Sequence, residues 1–299
     1  MKKQLAGMHV ALMSGFSDDG KLCEKRQENI IGYTVKQNVA GLYIGGSSAE
    51  AATMSVDELL VQQKIVMDSA KGRVGKLIAH VGMPSIKDAV ALAESAKELG
   101  FDALSALPPY AFPHTQEEIF NYYKAIASAT DLPLIVYEVP IRTGRATPTH
   151  QIVEILDLPN VEGIKFTSND LFALSRIKER CPDKTYFFGF DEMYGYAATS
   201  GIDGGIGTTY NVLGNLYTAI NEAVIAGDLD RMRELQAISQ DFVEAIIKVG
   251  VIPGVKAAMQ LIGVDCGQAR APLALRGSDA MEIMKAAVAK PGFQEWIAK

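Results

Sequence analysis

The sequence predicts an α/β fold: a closed (β/α)8 barrel of the TIM-barrel architecture over residues 1–224, with about three further helices over 225–299 packed against it. Three observations carry that expectation. Eight short apolar runs recur along the chain, stretches with helical spacing separate them, and no GxGxxG follows the first run as an open dinucleotide-binding sheet would want. Strands that alternate with helices pair in parallel through right-handed crossovers, and eight such units fit a closed barrel better than an open sheet.

In chain order the runs are HVALM from His9, GLYIG from Gly41, KLIAHV from Lys76, DALSAL from Asp102, PLIVY from Pro133, VEGIKF from Val161, TYFFGF from Thr185 and GGIGT from Gly204. After the third, Ile86, Ala89, Val90, Ala93 and Ala96 recur at helical spacing and Leu99-Gly100 supplies a stop. After the fourth, TQEEIFNYYKAI opens on Thr115, an N-cap with Glu118 three residues on. Beyond the eighth, GDLDRMRELQAISQDFVEAIIKVG, GVKAAMQLIG and GSDAMEIMKAAVAK read as three helices divided by Gly and Pro. No flexible linker sets them apart, so they are expected to dock on the barrel.

Composition narrows the function. The chain has 299 residues, 48% of them hydrophobic, and a formal charge of −6. No run of Lys or Arg could neutralise a row of phosphates, which argues against nucleic acid and anionic membrane as partners. No apolar run reaches the ~18 residues of a membrane span. Cys23, Cys181 and Cys266 are far apart and form no CxxC or Cys/His pattern, so neither a disulfide framework nor a zinc site is expected. His9, His80, His114 and His150 are scattered, and no metal site is supported. A reducing, cytoplasmic setting is the simplest expectation.

In a barrel of this kind chemistry gathers at the carboxyl ends of the strands. Those ends are polar: GGSSAE at 45–50, YEVPIRTG at 137–144, KFTSND after the sixth run, GFDEMYG at 189–195 and GTTYN at 207–211. Val161, Gly163, Lys165 and Thr167 share one strand face, with Ile164 and Phe166 on the other. An ordinary lysine would pair with an acid or reach for solvent. A lysine that enters the barrel instead loses hydration, its pKa falls, and its neutral amine can attack a carbonyl to form a Schiff base. Ile135 and Tyr137 share a face by the same alternation, so Tyr137 is either a core tyrosine or a proton shuttle beside that amine. Ser47 and Ser48 follow two glycines, either as a capped turn or as donors to a carboxylate. Asp191 and Glu192 are either solvated loop acids or acceptors for sugar hydroxyls.

With these motifs in order at strand ends, the chain resembles the N-acetylneuraminate lyase and dihydrodipicolinate synthase family of class I aldolases. The likeness covers essentially the whole chain and is greater to the lyase branch, through GLYIGGSSAE, GFDALSALPPYAFP, GIKFTSNDLF, GFDEM and GIDGGIGTTYNVLG. It implies a Schiff base at Lys165 with the keto group of pyruvate or sialic acid, and Tyr137 as proton shuttle. Ser47 and Ser48 would contact the pyruvyl carboxylate, Ser47 also joining a hydroxyl relay. Thr167, Gly189, Asp191, Glu192 and Thr208 match positions that hold the sugar chain. The implied enzyme cleaves N-acetylneuraminate reversibly to N-acetylmannosamine and pyruvate, as a homotetramer without metal or organic cofactor.

Three departures stand against that pattern. Ala49 replaces a frequent glycine before the glutamate of the serine motif, a change expected to reshape the turn. Tyr110 matches a relay tyrosine that the family supplies across a subunit interface, but Pro109 and Ala111 replace its aromatic neighbours. Arg142 stands where the synthase branch binds a second carboxylate, and it either does so here or pairs with Glu138, which stands where asparagine is frequent. The alternatives are therefore a dihydrodipicolinate synthase, another pyruvate-dependent aldolase or sugar-acid dehydratase, or a keto-acid-binding protein without catalysis.

Overall fold

The computed structural model describes residues 3–299. Eight parallel strands, β1 (Gly7–Ala11), β2 (Gly41–Ile44), β3 (Lys76–His80), β4 (Ala103–Ala106), β5 (Leu134–Glu138), β6 (Val161–Phe166), β7 (Thr185–Phe188) and β8 (Gly204–Gly207), form a barrel closed by pairing of β8 with β1. Each overlaps one of the eight apolar runs, the first strand beginning two residues before its run.

Alternation divides the strands into two populations. Tyr43, Ile78, Ala103, Ile135, Phe187 and Ile206 point inward and form a separate core with Leu5 and Ala11. Ile164 and Phe166 belong to the larger shell between strands and helices. Across the ladder Tyr137 is level with Lys165, and Lys165 with Phe187. The inward face of β6 therefore places its amine in the same layer as the phenol of β5.

The helices follow their local signals. Thr115 caps Gln116–Ala129 with its hydroxyl accepting from the Glu118 amide at 3.2 Å, and the Glu118 carboxylate accepts from the Thr115 amide at 2.6 Å. Gly100 ends Ile86–Leu99 in the left-handed conformation at φ +88°. The helical spacing is borne out, and the buried face of that helix is Ala89, Leu92, Ala93 and Ala96, while Ile86 is 45% exposed and Val90 only half-buried. Ile86 occupies the first helical position, before the stripe has turned to face the barrel.

The eighth barrel helix, Tyr210–Ala226, stops at the left-handed Gly227. Leu229–Val249, Val251–Leu261 and Ala280–Val288 follow, with one short turn at Pro291–Gln294. Their apolar faces, including Met232, Leu235, Phe242, Val255, Met259 and Met284, join the core of the outer barrel shell. Among the described residues no helix is long and apolar enough to cross a membrane.

Candidate active site

Lys165 is 5% exposed, and its Nζ lies 4.2 Å from the ring centre of Tyr137 and 4.6 Å from that of Tyr43. It makes no ion pair among the described residues. Burial pushes the amine below the ordinary lysine range; Tyr137 and Asp191 pull it back in part, and the Arg142 charge adds to the depression. Ring faces stabilise a cation without neutralising it, so the site tolerates both the free amine and a positively charged imine.

Below the amine lies a polar network that single-sequence reading did not single out. The Tyr43 hydroxyl is 2.8 Å from His80 Nδ1 and 3.1 Å from Ser105 Oγ, all three inside the barrel. Burial, with the Lys165 charge second, drives the His80 pKa down to about 3, which keeps its imidazole neutral. The rings of Tyr43 and His80 stand 6.5 and 6.0 Å from that of Tyr137, both nearly perpendicular to it. These residues fix the phenol's environment from beneath. Strand alternation alone places Tyr43 and His80 inward, and that was the available signal.

The serine turn closes the β2 end. Ser47–Ala49 form one turn of 3-10 helix, with the Ala49 amide bonded to Gly46 O and the Glu50 amide to Ser47 O, both at 3.1 Å. Ser48 Oγ lies 2.7 Å from Thr208 Oγ1, joining the turn to the β8 end. Ala49 does not strain this turn, because the left-handed residue is Glu50, at φ +62°. Holding a non-glycine residue there costs roughly 1–2 kcal/mol, so the Glu50 side chain needs strong partners.

Opposite, Asp191 is buried rather than solvated. Its Oδ2 accepts from the Thr209 amide at 2.8 Å and the Thr209 hydroxyl at 2.7 Å, while Oδ1 is buried without a partner among the described residues. Desolvation raises its pKa to about 6, against the lowering effect of the Thr209 bonds. Gln236 Nε2 and Ser239 Oγ, on Leu229–Val249, donate to Asp191 O at 3.0 and 3.2 Å. Glu192 is half-buried, and its backbone oxygen accepts from Gln240 at 3.1 Å. Thr167, two residues after Lys165, has a buried hydroxyl that also lacks a partner among the described residues. A Cβ on Gly189 would strike the Thr167 hydroxyl and come within 3.2 Å of Lys165 Cε. Gly189 is thus a close-approach glycine that keeps both groups in place.

One pairing that the sequence allows does not form. Glu138 does not neutralise Arg142: its carboxylate accepts from the Thr147 amide at 2.9 Å and hydroxyl at 2.7 Å. Arg142, on the exposed turn Pro140–Thr143, is left without an ion-pair partner among the described residues and lines a cavity of about 880 Å³. That cavity spans Ser47, His80, Tyr110 and the helical extension at Ile247, Val251 and Pro272. Its volume is in the range of small-molecule sites. Tyr110 is 37% exposed, and its hydroxyl meets no partner among the described residues, so the chain by itself brings it to the cavity edge and not to Tyr137.

Comparison with known proteins agrees with this architecture. The profile of the "Dihydrodipicolinate synthetase family" matches residues 4–290. The N-acetylneuraminate lyase of Rhizobium meliloti is 38% identical over 269 residues, covering 90% of this chain and 89% of that protein. The CdNal structure from Clostridium difficile in complex with mannosamine superimposes with a TM-score of 0.93 at 32% identity, over 98% of this chain and 99% of that one. The catalytic lysine mutant of the Ruminococcus gnavus sialic acid aldolase does so with a TM-score of 0.93 at 27% identity, over 99% and 98%. The chain belongs to the dihydrodipicolinate synthetase family, among relatives that are N-acetylneuraminate lyases.

Proposed function

We propose that this protein is a Schiff-base aldolase that reversibly cleaves N-acetylneuraminate to N-acetylmannosamine and pyruvate. The observation that carries the reading is Lys165: a buried amine flanked by two phenol rings at 4.2 and 4.6 Å, with no carboxylate paired to it among the described residues. The lyase names of the relatives and the catalytic lysine of the Ruminococcus gnavus aldolase support it.

On this reading the neutral amine adds to C2 of the keto acid and water leaves to give an iminium ion. The C4 hydroxyl then loses its proton as the C3–C4 bond breaks, and the released electron pair is taken up as an enamine. A proton returns to C3, and water hydrolyses the imine to free pyruvate and restore the amine. Tyr137, level with Lys165 on the neighbouring strand, passes these protons. Ser47 and Ser48 hold the carboxylate, and Thr167, Gly189, Asp191, Glu192 and Thr208 hold the sugar chain. The partnerless Asp191 Oδ1 and Thr167 hydroxyl support that assignment, since buried polar atoms of this kind seek a ligand's hydroxyls.

We read the enzyme as a cytoplasmic homotetramer. Its three cysteines are unpaired, and the Tyr110 loop carries Phe112 74% exposed, a surface suited to cover by another subunit. A tetramer would also supply the contact to Tyr137 that Tyr110 lacks within one chain.

A second reading rests on Arg142. With Glu138 engaged elsewhere, its guanidinium is free to bind an acid group on a second substrate, as condensation with aspartate semialdehyde would require. The assay that decides between them measures pyruvate release from N-acetylneuraminate beside condensation of pyruvate with aspartate semialdehyde. Activity in the first is expected; activity in the second alone would remove the lyase assignment.

A further inference from the structure

We propose that Lys256, on the helix Val251–Leu261, is a positioning residue for the carboxylate-binding turn: it clamps Glu50 and so sets where Ser47 and Ser48 present their hydroxyls. The inference rests on the reading that these serines hold the carboxylate of the keto acid. It assigns to the helical extension a part in substrate binding at the opposite end of the site from Asp191.

Lys256 Nζ lies 2.7 Å from Glu50 Oε1, with side-chain exposures of 2% and 0%. The approach is charge to charge; the ammonium's aligned hydrogen bond goes to Gln268 O at 2.9 Å, and its other side faces the Phe16 ring at 4.5 Å. The second Glu50 oxygen accepts from the Arg270 amide at 2.7 Å. Both carboxylate oxygens are therefore tied to the extension, while Glu50 is itself one of the residues that line the cavity. Meanwhile the Glu50 backbone is left-handed, ends the Ser47–Ala49 turn and begins the next turn at Ala51–Thr53. A side chain so anchored fixes a backbone conformation that L-residues otherwise avoid. Ser14 adds a lock from β1's side, donating to Ala49 O at 2.5 Å. Ser47, in the first position of that turn, lines the cavity.

An interior pair of this kind is weak as a source of stability, because desolvating two charges offsets most of their attraction. Its specific effect is to hold one register of the turn. Lys256→Met in the full chain is the first test, with the double variant Glu50→Gln/Lys256→Met as the second, since it leaves no buried unpaired charge and should fold even where the single variant does not. Borohydride trapping across a pyruvate series is expected to show half-saturation raised at least tenfold in the single variant and threefold in the double. Trapping at saturating pyruvate should stay within twofold of the parent, and the KM for N-acetylmannosamine in the condensation direction within twofold.

Hydrogen exchange without substrate reads the same clamp independently. Amides of residues 46–51 should exchange at least tenfold faster in either variant, and those of 189–193 at an unchanged rate. A folded variant with unchanged half-saturation and unchanged exchange at 46–51 overturns the proposal, as does an equal loss at both ends of the site. Should the parent enzyme trap no pyruvate at all, the Schiff-base reading fails, while accelerated exchange at 46–51 would still support the clamp and unchanged exchange would sink it.

Discussion

Among the described residues two lysines are buried, and they live in opposite electrostatic settings. Lys256 sits 2.7 Å from the Glu50 carboxylate and donates to a carbonyl oxygen; Lys165 has ring faces of Tyr43 and Tyr137 and no ion-paired acid among the described residues. Burial lowers the pKa of both; the fall is opposed in Lys256 by Glu50 in direct contact, and in Lys165 by Tyr137 and by Asp191, which forms no ion pair with it. Burial by itself thus does not create a nucleophile. What separates a scaffold cation from a reactive amine is the presence or absence of a fixed counter-ion.

The largest effect expected from this contrast is at Lys165. Lys165→Met should lower lyase activity by at least about 10⁴-fold, as loss of a covalent nucleophile does. Because that amine has no counter-ion to strand, the variant should melt no lower than the parent. Lys256→Met should do the reverse, costing about 3–5 kcal/mol of stability by leaving Glu50 buried and unpaired. Thermal unfolding of the two variants side by side breaks the comparison if both shift in the same direction.

Tyr137→Phe keeps the ring face against the amine and removes only the hydroxyl, so it separates cation stabilisation from proton transfer. A fall in kcat of about 10²–10⁴ is expected, with Lys165 still trapped by borohydride. An unchanged kcat would show that another group carries the protons.

Asp191 sharpens the contrast from the acid side, as a buried carboxylate without a cation in contact. Its folded pKa of about 6 lies above the ordinary 3.8, so the folded state holds a proton that the unfolded state has released between those values. Well below pH 3.8 both states are protonated and nothing is lost. As pH rises to 6 and beyond, the ionised acid costs about 3 kcal/mol. The stability difference between the parent and Asp191→Asn should therefore change by about that amount from about pH 3 to pH 7, moving against the parent. A flat difference would mean that Asp191 is hydrated. Smaller still is Gly189→Ala, whose added methyl must displace the Thr167 hydroxyl; about 1–3 kcal/mol of stability or a raised KM for the sugar is expected. Unaltered melting and KM would show that the β7 end yields without cost.

The barrel was legible because its signals are local. Each strand is a short apolar run ending in polar residues, and alternation along VEGIKF places Lys165 on the inward face beside Tyr137. The capping box at Thr115 reads from four residues. By contrast, the partners that fix the site come from far along the chain. Nothing near GGSSAE announces Lys256, and nothing near GFDEM announces Gln236 or Ser239. Glu138 went to Thr147 instead of Arg142 for a related reason: the turn at Pro140–Thr143 carries the guanidinium outward while the following segment folds back over the carboxylate. Charge pairing by sequence proximity ignores that reversal.

The most direct test of the account is to treat the protein with pyruvate and borohydride and map the modified peptide. The amine without a counter-ion should carry the pyruvyl mass, giving a single adduct on Lys165 that Lys165→Met abolishes. An adduct on Lys256, or none on either lysine, would contradict it.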